Sequence, residues 1–218
     1  MKKLILSVLL SACMIASFAQ SEKYLKAMKE KVVAVDTTFT ADKLNDLSAS
    51  FERIADAEKT QWLPYYYAAL TQVNAGFMMS SGGPLPADKV DAVADKAEQL
   101  ILKAEALSKD NAEIFIVKKM IANLRMAPGE MARYMKYGPE GTTALETAKK
   151  LSPDNPRVYL LEGQDKFYTP EQFGGSKTEA KKLFEEALKK FESFKPASDI
   201  DPNWGKTTTQ YFLNLASQ

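Results

Sequence analysis

The sequence contains no histidine and a single cysteine, Cys13. Without an imidazole there is no Ser-His-Asp or Cys-His nucleophile system, no His-ligated zinc and no His proton shuttle. One thiol builds neither an intrachain disulfide nor a zinc or iron–sulfur centre. Carboxylates, phenols and a few cations remain. Carboxylate pairs such as Glu185-Glu186 lie on the polar side of an amphipathic segment. A hydrolytic pair needs a cleft, with one carboxyl raised by burial. The residue inventory therefore points away from an enzyme, and towards a protein working with no cofactor and no metal.

Two short motifs imitate ligand sites. Asp199-Ile200-Asp201-Pro202-Asn203 opens like a calcium loop, but Trp204 and Gln210 stand where glycine and a bidentate Glu are required. It reads as a polar turn in which Asn203 caps the last helix. Gly174-Gly175-Ser176-Lys177-Thr178 looks like part of a phosphate-binding loop, yet Ser176 separates Gly175 from Lys177 and no strand precedes it. It reads as the start of a helix.

Contact chemistry is more promising. Tyr65-Tyr66-Tyr67 sweeps about 200° of a helix circumference, more than one buried stripe can hold. A helix touched by its own partner and by both neighbouring units holds all three as core; the alternative turns one phenol into a groove. Arg157, Leu161, Gln164 and Tyr168 fall at i, i+4, i+7 and i+11 and so share a helix face. Cation, amide and phenol together make poor core and good groove lining. Tyr134 and Tyr137, beside Pro139, suit the rim of the same concavity. The candidate contact residues are thus Tyr66, Tyr134, Tyr137, Arg157, Gln164 and Tyr168.

The elements that must carry them are helices. Val90, Val93, Ala94, Ala97, Leu100, Ile101, Ala104 and Leu107 keep 3–4 spacing through a charged stretch, as do Ala180, Leu183, Phe184, Ala187, Leu188, Phe191 and Phe194. Start signals agree: Ser176 with Glu179 forms a capping box, Asn155 precedes Pro156, and Pro86 opens a helix. Breaks fall at Ser80-Ser81-Gly82-Gly83-Pro84, Ala127-Pro128-Gly129, Gly138-Pro139, Gly174-Gly175 and Pro196 to Pro202. The pattern predicts helices near 22–34, 41–58, 62–79, 87–108, 112–126, 140–151, 156–168, 176–195 and 204–216, with a short turn at 130–136. No stretch alternates with period two, so the fold is all-α.

Self-comparison organises the helices. Ala106-Leu107-Ser108-Lys109-Asp110-Asn111 recurs 44 residues later as Lys150-Leu151-Ser152-Pro153-Asp154-Asn155. Asp201-Pro202-Asn203-Trp204 and Lys59-Thr60-Gln61-Trp62 occupy comparable junctions. A helix pair that cannot bury its own apolar faces stacks on copies of itself. Trp62, Tyr65 and Tyr159 open first helices, with Ala69 and Gly163 a turn or so on. Ala97, Ala104 and Leu107, or Ala180, Ala187 and Phe191, stand in second helices. On these residues, over about 41–218, the chain resembles tetratricopeptide-repeat (TPR) proteins. Asn155 to Gly163, with Tyr168-Thr169-Pro170 and Phe173-Gly174-Gly175, is similar to exported TPR-like proteins of Gram-negative bacteria.

Units of 44–50 residues exceed the standard TPR length of about 34, and Lys119 stands where a small residue is expected. A HEAT-like or irregular α–α array is the alternative. The resemblance implies antiparallel helix pairs stacked as a short right-handed solenoid, with 62–108, 112–151 and 156–195 as successive pairs. First helices would line a concave groove that holds a protein or peptide.

The N-terminus reads as an export signal. Lys2 and Lys3 precede an apolar run from Leu4 to Phe18, and small residues at Ser17 and Ala19 suit cleavage before Gln20. That run is too short to span a bilayer. The domains are then a 1–19 signal peptide and a single helical repeat domain, 20–218. Leu10-Ser11-Ala12-Cys13 also matches a lipobox, which would make the product an outer-membrane lipoprotein; the apolar run continuing past Cys13 favours simple cleavage and a periplasmic protein. Removing 1–19 takes two lysines and leaves a net charge of −1, with no basic excess for nucleic acid. The function expected is a non-enzymatic interaction or scaffold module of the cell envelope, the alternative a small-molecule or glycan binder using groove tyrosines.

Overall fold

The computed structural model describes residues 22–80, 83 and 85–218. The signal-peptide reading of 1–19, the Cys13 lipobox and the Gln20 cleavage site lie outside the described residues. The described chain forms helices α1 (22–35), α2 (Ala41–Glu58), α3 (Trp62–Ser80), α4 (Ala87–Leu107), α5 (Ala112–Met126), α6 (Met131–Leu151), α7 (Pro156–Tyr168), α8 (Lys177–Ser193) and α9 (Lys206–Ala216). A 3₁₀ turn spans Glu171–Phe173. There is no strand among the described residues, and the fold class is all-α.

Local chemistry explains the helix starts. Asn111 Oδ1 accepts from Glu113 N–H, Asn155 Oδ1 from Arg157 N–H, and Ser176 Oγ from Glu179 N–H, each satisfying an orphan donor of a first turn. The 44-residue recurrence is also geometric. Ser108 closes α4 at φ −143°, ψ 83°, and Ser152 closes α6 at φ −146°, ψ 79°. The two second helices thus end on the same C-cap conformation, although the turns diverge beyond it, Asp110 taking φ 52° where Asp154 does not turn left-handed.

Two boundaries differ from the sequence reading. α6 runs unbroken through Gly138-Pro139, because Gly138 has no Cβ to clash with the proline ring and both halves of the helix are packed on α5. The last helix begins at Lys206 rather than Trp204, with Gly205 at φ 104° as its cap in place of Asn203. Trp204 is drawn into the interior instead, 8% exposed.

Within each pair the helices pack closely: α3 on α4, α5 on α6, α7 on α8. α4 buries Val90, Ala94, Ala97, Leu100, Ile101 and Ala104 but leaves Leu107 exposed at its end. α8 buries Ala180, Phe184, Ala187 and Phe191. Between pairs the packing is uneven. α4 packs on α5 and α3 touches α5, whereas α6 and α7 meet sparsely. The joint between 112–151 and 156–195 is therefore the loose one.

Small residues set the close approaches. A Cβ on Gly163 would lie 2.5 Å from Phe184 Cε1, so α7 and α8 meet backbone to ring at this point. At the second unit the large and small partners are exchanged. Lys119 is 3% exposed in α5, and the space it needs is supplied by Gly141 of α6, where a Cβ would sit 3.3 Å from Lys119 Cδ.

Gly163→Leu should overpack the Phe184 contact and cost about 1–3 kcal/mol, read as a lowered urea midpoint. An unchanged midpoint would mean that the approach of α7 to α8 does not depend on a bare backbone at this position.

Candidate functional site

The first turns of α5 and α7 each carry a charged residue two positions past the cap, Glu113 and Arg157, 44 positions apart. Equivalent places in adjacent units bring them together. Arg157 Nε donates to Glu113 Oε2 at 3.0 Å and Nη2 to Oε1 at 2.5 Å, a two-pronged ion pair. Asn155 Nδ2 adds a bond to Glu113 Oε1 at 2.6 Å. Tyr66, 47 residues before Glu113, donates its hydroxyl to Oε2 at 3.0 Å. Trp204, 47 residues after Arg157, receives an Arg157 Nη1 bond on its carbonyl at 3.3 Å and donates Nε1–H to the Tyr66 oxygen at 2.7 Å. The four residues close a cycle of bonds.

This cycle is interior. Tyr66 and Arg157 are both 0% exposed. Burial, reinforced by the Glu113 carboxylate, pushes the Tyr66 phenol far above its ordinary range, so it acts as a neutral donor. Phe194 and Trp204 place their rings over the guanidinium at 4.7 and 5.6 Å. Beside it, the Tyr67 hydroxyl donates to Ile200 O at 3.0 Å. The segment 194–205 thus lies where a bound peptide was expected to lie. Tyr66 and Arg157 are not surface groups, because the chain's own C-terminal arm covers them.

The other four candidates separate. Tyr137 packs among Arg125, Arg133 and Lys136, whose cationic groups sit 5.4, 5.4 and 4.8 Å from its ring centroid, above the carboxylates of Asp91, Asp95 and Glu98. Gln164 is half-buried. Tyr168 is 68% exposed and meets Phe167 and Phe212 edge-on, with exposed Tyr211 on the same Phe212 ring. Partial burial and then Tyr211 raise the Tyr168 phenol, so it is neutral at pH 7. Tyr134 is exposed between Met131 and Met135 on α6. Of the tyrosine run, Tyr66 and Tyr67 are core and Tyr65 lies half-buried under Lys103.

At the loose joint, α6, α7 and α8 enclose an open cleft of about 550 Å³ with a mostly apolar lining. Leu145 and Leu183 form its floor, with Thr142 beside them. Positions 131, 134/135, 138, 142 and 145 share one helix face, so the exposed Met131, Tyr134 and Met135 continue the α6 wall beyond the cleft. The rim carries Glu146, Glu162, Asp165, Lys166, Glu179 and Lys182. Three of the carboxylates are paired: Glu162 with Lys149 at 2.8 Å, Asp165 with Lys119 at 2.8 Å, Glu179 with Lys166 at 3.0 Å. None of these lining residues is a histidine, cysteine, tyrosine or methionine. Among the described residues no group of three or more His, Cys, Asp or Glu could hold a metal ion.

Periodicity alone could not find this cleft, since it arises where two helices fail to pack. The Glu113–Arg157 pair did carry a signal: opposite charges stand at matching places of a 44-residue repeat.

Glu113→Ala should leave a fully buried guanidinium without its carboxylate and cost about 3–5 kcal/mol in urea unfolding. Wild-type stability in that variant would show that water or another acid replaces Glu113.

No protein-family model matches the sequence, and no curated protein matches it. Among solved structures, the HusA haemophore from Porphyromonas gingivalis matches with a TM-score of 0.77 and 30% identity, over 88% of this chain and 92% of that one. Among the described residues no helix is long and apolar enough to cross a membrane. With that identity over nearly all of both chains, this chain belongs to the family of the HusA haemophore.

Proposed function

We propose that this protein is an exported, non-enzymatic binder of a flat, largely apolar ring of the haem class, held in the cleft between α6, α7 and α8. The cleft itself carries the reading. Its volume of about 550 Å³ lies within the usual range for small-ligand sites, and its lining is mostly apolar with charges at the rim. Kinship with a haemophore supplies the ligand class. The TPR-like reading of the fold supplies an origin for the cleft, as a widened joint between two helix pairs.

The mode of binding follows from the residues present. The cleft offers no imidazole, thiolate, phenol or thioether to an iron atom. Affinity comes from burying ring surface on Leu145, Leu183 and the stems of Lys166 and Lys182, at about 25 cal/mol per Å² of apolar area. The α6 wall of Met131, Tyr134 and Met135 extends that surface, and thioethers adapt to an irregular partner. The iron adds little, so a metal-free porphyrin should bind within a fewfold of haem.

A second reading, a protein or glycan partner, is favoured by one observation. Tyr168, Phe173 and Tyr211 are 68%, 67% and 59% exposed around the Phe167–Phe212 cluster. Tyrosines give contact area at low entropic cost. On this reading the set of contact residues shortens to Tyr168, with Tyr211 added.

The test is a Soret titration with haem and with metal-free protoporphyrin. Leu183→Asp should weaken both by about tenfold, while Leu102→Asp, on exposed α4 surface, should change neither. Loss on Tyr168→Ala with none on Leu183→Asp would move the site to the aromatic cluster. No binding of either ring to the wild type would reject the reading.

A further inference from the structure

The cleft has a direction. Its α6 wall bears Glu146, whereas its α7–α8 side bears Lys166 and Lys182. These two lysines are not equivalent. Lys166 Nζ is already held by Glu179 at 3.0 Å and by the Gly174 carbonyl at 3.1 Å. The carboxylates of Glu162 and Asp165 are likewise engaged by Lys149 and Lys119. Lys182 is exposed at the rim and has no ion pair or hydrogen bond among the described residues. Glu146 is the rim acid left without a partner among the described residues, and it stands across the cleft on α6.

We propose that Lys182 is the carboxylate-recognising residue of the cleft, and that the protein selects rings bearing an ionised carboxylate and orients that edge towards α8. This rests on the ring-binding reading above. A lysine ammonium at a cleft mouth offers three donors on a flexible stem, suited to a carboxylate whose position varies from ligand to ligand. Glu146 disfavours the reverse orientation, since it would face the same carboxylate across the α6 wall. Lys166 cannot serve equally without first giving up Glu179 and Gly174. The apolar edge of the ring then points to Leu145, Thr142 and the Met135 stripe.

The experiment compares protoporphyrin as the free acid with its dimethyl ester, which has the same ring and no charge. Each is titrated against wild type, Lys182→Glu and Lys109→Glu. Lys109 is exposed on the α4–α5 turn and provides the same charge change away from the cleft. Lys182→Glu should weaken the free acid about fivefold and leave the ester unchanged, and Lys109→Glu should affect neither. Raising salt should shrink the free-acid difference. Equal weakening of acid and ester by Lys182→Glu, equal weakening of the acid by Lys109→Glu, or no effect on either ligand would overturn the assignment. If neither ligand binds the wild type, the ring-binding reading itself fails, a result distinct from failure of the lysine's role.

Discussion

The buried guanidinium of Arg157 constrains the rest of the structure. Removing a cation from water costs several kcal/mol even after relaxation, and only dense compensation keeps it inside. Glu113 neutralises it through two prongs, the Trp204 carbonyl accepts a further bond, and the rings of Phe194 and Trp204 cover it. Two of those partners belong to the C-terminal arm. The arm cannot leave without exposing a half-satisfied charge cluster, so it is a structural part of the helix array. The chain itself covers the face on which Tyr66 and Arg157 stand.

The same joint explains where that cleft is. First helices α3 and α5 pack directly, but between α5 and α7 long polar side chains do the bridging: Glu113 with Arg157, and Lys119 with Asp165 at 2.8 Å. A lysine and an arginine reach farther than an alanine–glycine contact, and they hold two units at a greater distance. On the second-helix side the bridge is again a long side chain, Lys149 of α6 to Glu162 of α7 at 2.8 Å; α6 and α7 meet sparsely, and a wedge opens over Leu145 and Leu183. Site and ion pairs are two consequences of one wide joint.

Much of the architecture was legible because helical periodicity and caps act locally. Asn111, Asn155 and Ser176 behave as their side chains dictate, and Ser108 and Ser152 close their helices with nearly the same backbone angles. Where the reading missed, tertiary context prevailed. Gly138-Pro139 does not end α6, because packing on α5 holds both halves in line. Arg157, Gln164 and Tyr168 do share a face as their spacing requires, but that face changes from buried at Arg157 to exposed at Tyr168 along its length. Helical spacing reports direction around the axis. It says nothing of what a distant segment does, and residues 194–205 decide which of those side chains sees solvent.

The absence of histidine, the first fact the sequence offers, acquires a different meaning in this setting. For an enzyme it removes proton transfer and nucleophile activation. For a binder of haem-class rings it removes the commonest protein ligand to iron and leaves apolar area as the source of affinity. Area is non-directional, so a site built on it does not orient its ligand by itself. Orientation then has to come from charge at the edge, where the cost of desolvation is small and exchange with water is easy. Among the described residues, a mostly apolar cleft with its acids largely neutralised by Lys149, Lys119 and Lys166, and with the Lys182 ammonium left over at its rim, meets both requirements without a metal-directed group.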